Sequence, residues 1–150
     1  LKSNPDFLVE MGVDLSKLPS REGLINGLTA QLAKPIEQRQ TYALIWLLNN
    51  KPIGHCNVNP FVFGESANMH LHIWHSNNRQ KGVGEQLVHL SVEHFFEQLK
   101  LQRLVSEPYA ENIAPNKTLA KLNFKKVKTY STIPGSINFE QEVNRWELLR

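Results

Sequence analysis

Two glycines, Gly82 and Gly84, lie between a strand-like run, Asn68 to His75, and a helix-like run, Glu85 to Leu99. Glycine permits backbone conformations that a Cβ atom hinders, so consecutive amide N–H groups can converge on an anion. The first turn of the helix adds free N–H groups and the positive end of the helix dipole. This arrangement predicts a phosphate-binding loop. It comprises Arg79, Gln80, Lys81, Gly82, Val83 and Gly84, two of which carry positive charge.

The glycine spacing excludes two common phosphate motifs. The dinucleotide fingerprint needs a third glycine that does not follow Gly84, and the P-loop needs a terminal G-K-[ST]. What remains is R-x-x-G-x-G, which begins at Arg79. Placed between a strand and a helix, this segment resembles the pyrophosphate loop of the GNAT acetyltransferase superfamily.

A second motif follows at a suitable distance. The stretch from Asn112 to Phe124 resembles N-x-x-x-N-x-x-L-x-K-x-G-F, which is typical of the RimJ/RimL-like branch that acetylates ribosomal proteins. Asn123 replaces the usual glycine, and asparagine is the next most tolerant residue for a left-handed helix cap. Two ordered motifs are more specific than one. The resemblance covers roughly residues 40 to 150.

Composition limits the partners and the compartment. With 150 residues, 41% hydrophobic and 21% charged, the chain suits a single domain over residues 1–150. The net charge of +3 comes without a basic block, so we expect no nucleic-acid partner. No apolar run is long enough to span a bilayer, so we expect no membrane partner. The lone cysteine, Cys56, cannot form an internal disulfide, which predicts a cytoplasmic protein.

Hydrophobic periodicity predicts an alternating α/β order. Ser20 suits the N-cap of a helix over residues 20–34, and Pro115 suits the first turn of a later helix. The predicted strands are residues 41–48, 53–63, 68–75, 101–107, 124–131 and 144–149. The first three strands are adjacent and antiparallel, and the last two form a closing pair.

The family resemblance implies a mixed, mostly antiparallel sheet that is flanked by helices. That sheet is splayed between its fourth and fifth strands, here residues 68–75 and 101–107. GNAT chains normally begin with a strand, yet Pro5 to Met11 already has a helical pattern. We therefore expect that the first family strand has been left out of this sequence, or that a partner chain or an altered edge replaces it. A monomer and a homodimer are both compatible with this fold.

The resemblance implies acetyl-CoA as the co-substrate. Its pantetheine arm would lie in the splay, paired with the backbone near Ile73, Trp74 and His75 like an added strand. The loop amides, helped by Arg79, would hold the pyrophosphate. Asn112 and Asn116 match positions that line the far side of CoA, although asparagines also commonly cap helices and turns.

Two histidines are candidates for the catalytic base. His70 and His72 share one face of their strand, and the family often carries a glutamate or histidine base at the position of His70. Histidine titrates near neutrality, which suits proton removal from an ammonium group. The alternative is a structural or surface histidine, and Glu65 is a weaker candidate base. We predict no metal, because His75 should point to the opposite face and no Asp or Cys stands nearby.

The general acid is harder to assign. Leu119 and Pro115 occupy positions where family members carry a tyrosine or a serine, and neither can donate a proton. Tyr109 and Tyr130 are possible substitutes, unless the thiolate takes its proton from water or from the amine. Tyrosines also serve as packing residues.

The predicted reaction is acetyl transfer from acetyl-CoA to a primary amine by direct attack. The acceptor could be a protein N-terminus, a polyamine, an aminoglycoside or another small amine. Selectivity would come from residues 1–35, 64–67 and 133–141. A non-catalytic acyl-CoA-binding sensor or interaction module is the main alternative, and a binding domain for another nucleotide is a weaker one.

Overall fold

A single mixed sheet organises residues 5–74 and 82–150, the parts of the chain that this computed structural model describes. The strands are β1 (Tyr42–Leu48), β2 (Lys51–Val62), β3 (Ser66–Ile73), β4 (Arg103–Ser106), β5 (Lys125–Thr132) and β6 (Gln141–Leu149). The helices are α1 (Pro5–Glu10), α2 (Arg21–Leu32), α3 (Val83–Gln98) and α4 (Ile113–Lys121), with 3-10 turns at Leu15–Lys17 and Ile36–Gln38. The sheet order is β1-β2-β3-β4-β6-β5, and only the β3–β4 pair is parallel. The predicted mixed α/β fold is confirmed.

Local signals in the sequence set the ends of several elements. The Ser20 hydroxyl accepts a hydrogen bond from the Gly23 amide at 3.0 Å and caps α2. Asn123 adopts a φ of 63° just after α4, as expected for a left-handed cap. Asn49 and Asn50 also have positive φ and form the turn between β1 and β2.

The core lies between α3, α4 and one face of the sheet. Val88, Val92 and Phe95 of α3 are buried in the same cluster as Met69 of β3 and Leu119 of α4. Their side chains recur at helical spacing on α3 and at alternate positions on β3, so the two periodicities meet in one layer. This packing fixes the position of β3 beneath the start of α3.

Helix α2 is confirmed, but its apolar side chains do not join this core. The exposed fractions of Leu24, Ile25, Leu28 and Leu32 are 37%, 51%, 42% and 68%. No residue of α2 is buried. Across residues 5–74 and 82–150, no helix is long and apolar enough to cross a membrane.

Strands β3 and β4 pair over a short distance and then separate. Their register contains Ser66 with Arg103, Ala67 with Leu104 and Asn68 with Val105. Beyond this point β3 continues to Ile73, whereas β4 ends at Ser106. The buried Ser106 hydroxyl donates to the Met69 carbonyl at 3.0 Å. This bond closes the vertex of a V-shaped gap, which lies where the splay was predicted.

Candidate active site

The edge of β3 that faces the gap presents backbone polar groups. The Met69 carbonyl points toward β4, because it accepts from Ser106, and the Trp74 amide donates to Ile53 of β2 at 2.9 Å. Successive residues of a strand turn their N–H and C=O groups to alternate edges, so Leu71 and Ile73 direct theirs toward the gap. An extended ligand can pair with this edge as an added strand would.

The described part of the predicted phosphate loop forms the start of α3. Gly82 is the N-cap, with a φ of 71° and without a side-chain cap bond, so the first-turn amides of α3 face outward. An ideal Cβ at Gly84 would lie 3.2 Å from Cδ1 of Ile73, which packs the helix start against the end of β3. Four predicted site residues lie outside the described residues: His75, Arg79, Gln80 and Lys81.

An ion pair ties the first turn of α3 to the last turn of α4. Lys121 Nζ lies 2.7 Å from Glu85 Oε2. The cation offsets the one carboxylate in the first turn of α3, which would otherwise weaken the attraction of that helix end for an anion.

The two predicted asparagines differ in their surroundings. The Asn116 amide donates to the carbonyls of Tyr109, Ala110 and Asn112 at 3.0, 3.5 and 2.7 Å. Its oxygen accepts from the side chains of Asn144 and Trp146 at 2.9 and 2.8 Å. Asn116 therefore joins α4, β6 and the segment after β4, and a direct ligand bond would compete with these partners. Asn112 is the N-cap of α4 and makes no side-chain cap bond.

Four rings gather on the face of β3 that points away from α3. His55 of β2 lies opposite His72 in the strand register, with ring centroids 5.9 Å apart. Trp74 stacks at a tilt, 6.0 Å from His55, and His70 shares this face by strand alternation. His55 belongs to no sequence motif and was not predicted as a site residue. Its position in the β2–β3 hairpin register was the signal that could have found it.

Hydrogen bonds fix the tautomers of two of these histidines. His70 Nε2 lies 3.1 Å from the Asn59 carbonyl, which can only accept, so Nε2 carries a proton. In neutral His70 the lone pair is then on Nδ1. The Trp74 indole donates to His55 Nδ1 at 2.9 Å, so the lone pair of neutral His55 is already used.

Burial keeps both imidazoles neutral. It lowers the pKa of His55 below the ordinary 6.5, and the nearby His70 lowers it further. Burial also lowers the pKa of His70, while the hydrogen bond to Asn59 and the charge of Glu107 oppose that effect. His70 is therefore a neutral base near pH 7, with Nδ1 as its basic atom. By exposed surface His55 and His70 are half-buried, whereas His72 is buried, at 8% exposure.

A carboxylate cluster lies at the end of β4. Glu107 Oε1 accepts from the Tyr130 hydroxyl at 2.5 Å and from Arg145 Nη1 at 2.9 Å. Arg145 Nε donates in turn to Glu147 at 2.7 Å. Its bond to Glu107 raises the pKa of Tyr130, which makes the phenol a weaker acid than a free tyrosine. The predicted substitute acid Tyr130 thus points its proton at a carboxylate.

Two distant chain segments form a wall beside His70. An ideal Cβ at Gly135 would lie 4.0 Å from His70 Cε1. The Asn138 side chain donates to the Gly12 carbonyl at 2.8 Å, and the Asp14 amide donates to Ile137 at 2.8 Å. Parts of the predicted selectivity segments 1–35 and 133–141 therefore lie together at the site. Residues 64–67 lie at the opposite end of β3 from Trp74.

The residues that the structure describes contain no group of three or more His, Cys, Asp or Glu side chains arranged to hold a metal.

Comparisons with known proteins point to one family. The sequence model of the acetyltransferase (GNAT) domain matches residues 3–125. No curated protein sequence gives a significant match. The apo structure of RimL, a ribosomal L7/L12 alpha-N-protein acetyltransferase, has a TM-score of 0.76 and 15% identity over 99% of this chain and 80% of that chain.

Two further solved structures share the fold. Aminoglycoside acetyltransferase AAC(6')-Ib in complex with coenzyme A gives a TM-score of 0.71 at 17% identity, over 98% of this chain and 84% of that chain. RimJ from Mycobacterium smegmatis, in complex with CoA-disulfide, gives a TM-score of 0.71 at 14% identity, over 85% of this chain and 60% of that chain.

Proposed function

Because this chain belongs to the GNAT acetyltransferase family, we propose that it transfers the acetyl group of acetyl-CoA directly to a primary amine. The family expected from the two sequence motifs is thereby confirmed. Acetyl-CoA supplies an activated acetyl group. The steps that remain for this chain are to hold the thioester, to deprotonate the amine and to exclude water.

One observation carries the proposal: the gap between β3 and β4 opens directly onto the start of α3. The backbone edge of β3 around Leu71 suits the amides of a pantetheine arm, which needs partners spaced along a strand. The left-handed Gly82 and the first-turn amides of α3 suit a pyrophosphate. Both features fit an extended, anionic thioester better than a compact nucleotide.

The proposal assigns the remaining predicted residues around that ligand. The pyrophosphate lies on the loop formed by Arg79, Gln80, Lys81, Gly82, Val83 and Gly84. The arm lies along Ile73, Trp74 and His75, with Asn112 on its far side. Asn116 holds α4 in place through the bonds described above, and thereby sets the width of the gap.

His70 is the proposed base. Its Nδ1 atom accepts a proton from the ammonium group, and the neutral amine then attacks the thioester carbonyl. The C–N bond forms, the C–S bond breaks, and the thiolate takes a proton from water or from the amine nitrogen. His72 stays an alternative base. His55 suits this role less, because its lone pair accepts from Trp74.

The acceptor is proposed more broadly. RimL is an N-terminal protein acetyltransferase and AAC(6')-Ib an aminoglycoside acetyltransferase. A protein N-terminus, a polyamine, an aminoglycoside or another small amine therefore forms the first panel of acceptors. The single buried Cys56 supports a cytoplasmic location for the reaction.

Calorimetric binding of acetyl-CoA, followed by thiol release across that panel, tests the proposal. Gly82→Ala should abolish binding, since its left-handed φ of 71° disfavours a Cβ. Gly64→Ala is the matched control, because Gly64 has a φ of 78° and equally open surroundings but lies in a remote turn. Binding with amine-dependent release supports the transferase. Binding without release for any amine supports the sensor, and unchanged binding in Gly82→Ala contradicts the loop assignment.

A further inference from the structure

Glu107 faces His70 across the gap between β3 and β4. The last paired residues of the two strands are Asn68 and Val105. His70 and Glu107 each stand two residues further along, and side chains two apart share a face. The two side chains therefore flank the opening on the face away from α3. The charge of Glu107 acts on His70, as expected for close neighbours.

The Glu107 carboxylate is rigidly held but only partly used. Its side chain is 11% exposed. Oε1 accepts two hydrogen bonds, from Tyr130 and Arg145, and Arg145 is shared with Glu147. Within residues 5–74 and 82–150, Oε2 has no hydrogen-bond donor, and it is not among the atoms sealed from solvent. A mostly buried anion with one open oxygen favours a charged donor from a ligand.

The other charged groups around this oxygen leave room for a cation. His55 and His70 are neutral near pH 7 because burial lowers the pKa of each. Arg145 divides its charge between two carboxylates. Lys128 Nζ lies over the Tyr130 ring, 4.0 Å from the ring centroid, and its side chain is exposed. Arg103 also pairs with Glu147, at 4.0 Å, so these cations are engaged with other groups and the attraction for an incoming ammonium comes from the open Oε2 of Glu107.

We propose that Glu107 is a specificity-determining residue, which binds the ammonium group of the acceptor through Oε2 and presents it to His70 Nδ1. This inference rests on the proposed function and names the substrate class as cationic primary amines. The ammonium donates one hydrogen bond to Glu107 and one to His70. His70 then takes that second proton, which leaves a neutral amine with its lone pair free to attack the thioester carbonyl.

The test follows the imidazole signals of His70 by NMR, assigned with His70→Gln, in the full chain saturated with coenzyme A. Butylamine, which is an ammonium ion at neutral pH, is titrated against the neutral butanol of similar shape. We expect butylamine to shift the His70 signals saturably and butanol not to shift them. In Glu107→Gln the affinity for butylamine should fall about tenfold, as loss of a charge-assisted hydrogen bond predicts.

Glu111→Gln is the matched control, because it removes the same charge from an exposed position shortly after β4 and outside the Arg145 cluster. Its affinity for butylamine should equal that of the unmodified protein. If Glu107→Gln fails to fold, Glu107→Asp is the second variant, since it keeps the negative charge. It should weaken the binding of butylamine, because its side chain is one methylene shorter and its oxygens lie further from the ligand. Three results would overturn the proposal. They are an affinity for butylamine in the Glu107 variants equal to that of the unmodified protein, equal shifts of the His70 signals by butylamine and butanol, and no shift by butylamine at all.

The outcome separates this inference from the proposed function. Selective butylamine binding without thiol release for any amine would support the ammonium site and contradict the proposed transferase activity. Thiol release with an unchanged KM for the amine in Glu107→Gln would support the transferase activity and contradict the ammonium site.

Discussion

The two faces of strand β3 share one backbone but differ in chemistry. Met69 points toward α3 and is 1% exposed, within an apolar cluster that also holds Cys56 of β2. His70 and His72 point to the other side, beside a carboxylate and an indole. Burial favours the neutral form on both faces: it raises the pKa of the Cys56 thiol to about 12 and lowers that of His70. The same physical effect keeps the Cys56 thiol protonated and unreactive on one face and keeps the proposed base His70 unprotonated on the other.

The largest expected effect is on the histidine face. His70→Gln keeps an amide donor for the Asn59 carbonyl but removes the basic nitrogen. The value of kcat/KM in the thiol-release assay should fall by roughly 10²- to 10⁴-fold, with little change in Tm. His89→Gln, at an exposed histidine of α3, is the control and should retain full activity. Retained activity in His70→Gln would contradict His70 as the base and favour His72 in that role.

The apolar face should respond through stability instead. Met69→Ala leaves a cavity beneath α3, and the free energy of unfolding should fall by about 2–5 kcal/mol. Urea unfolding measures the change. Leu90→Ala, at a position of α3 that is 59% exposed, should cost less than about 0.5 kcal/mol. A loss of similar size in both variants would mean that Met69 does not lie in the core.

The pH dependence should distinguish the two faces more finely. The pKa of His70 and of His55 is lower in the folded chain than the ordinary 6.5. The unfolded chain therefore binds more protons as the pH falls below about 6.5, so the free energy of unfolding decreases there. Above that pH the contribution of these two histidines to the free energy of unfolding is complete and constant. The activity should fall on the same acid side, because it requires neutral His70.

Urea unfolding at pH 7.5 and at pH 5.5 checks the sign. In His70→Gln the difference between the two pH values should shrink, whereas in Met69→Ala it should stay the same. A larger stability at the lower pH would contradict the assignment of buried neutral histidines.

The smallest expected effect is at the vertex where the two faces are joined to β4. Ser106→Ala removes the buried bond to the Met69 carbonyl, and the free energy of unfolding should fall by about 1 kcal/mol. The affinity for acetyl-CoA, measured by calorimetry, should fall with it as the gap loosens. Ser131→Ala, at an exposed position of β5, is the control. Unchanged values for Ser106→Ala would mean that pairing of β3 with β4 alone holds the vertex.

Much of the fold could be predicted because its signals are local. Ser20 and Asn123 mark the ends of helices by their own backbone preferences, and the apolar spacing of α3 gives its buried face. The splay was also placed correctly, although only through family resemblance. The apolar spacing of α2 predicted the helix but not its surroundings, since periodicity does not say which neighbour covers a face.

The site was predictable only in part. His70 stood out because its type and its strand position suit a base. His55 and Glu107 reach the site through strand register and through the end of β4, and neither has a local pattern that marks it. Asn116 was predicted as a ligand residue from its motif. Three of its side-chain bonds are to nearby carbonyls, whereas those from Asn144 and Trp146 come from 28 and 30 residues away. Contacts of that kind depend on tertiary structure and leave no periodic trace.

The wall beside His70 has a consequence for the order of events during synthesis. The bond from Asn138 to Gly12 spans 126 residues, and the bond from Lys17 to Asn138 spans 121. Contacts between such distant segments close large loops and form late. A nascent chain on the ribosome can therefore form the hairpins of the sheet well before the contacts of this wall can form. The wall is complete only when Asn138 has emerged and reached Gly12, so the proposed base His70 stays uncovered on that side until late in synthesis.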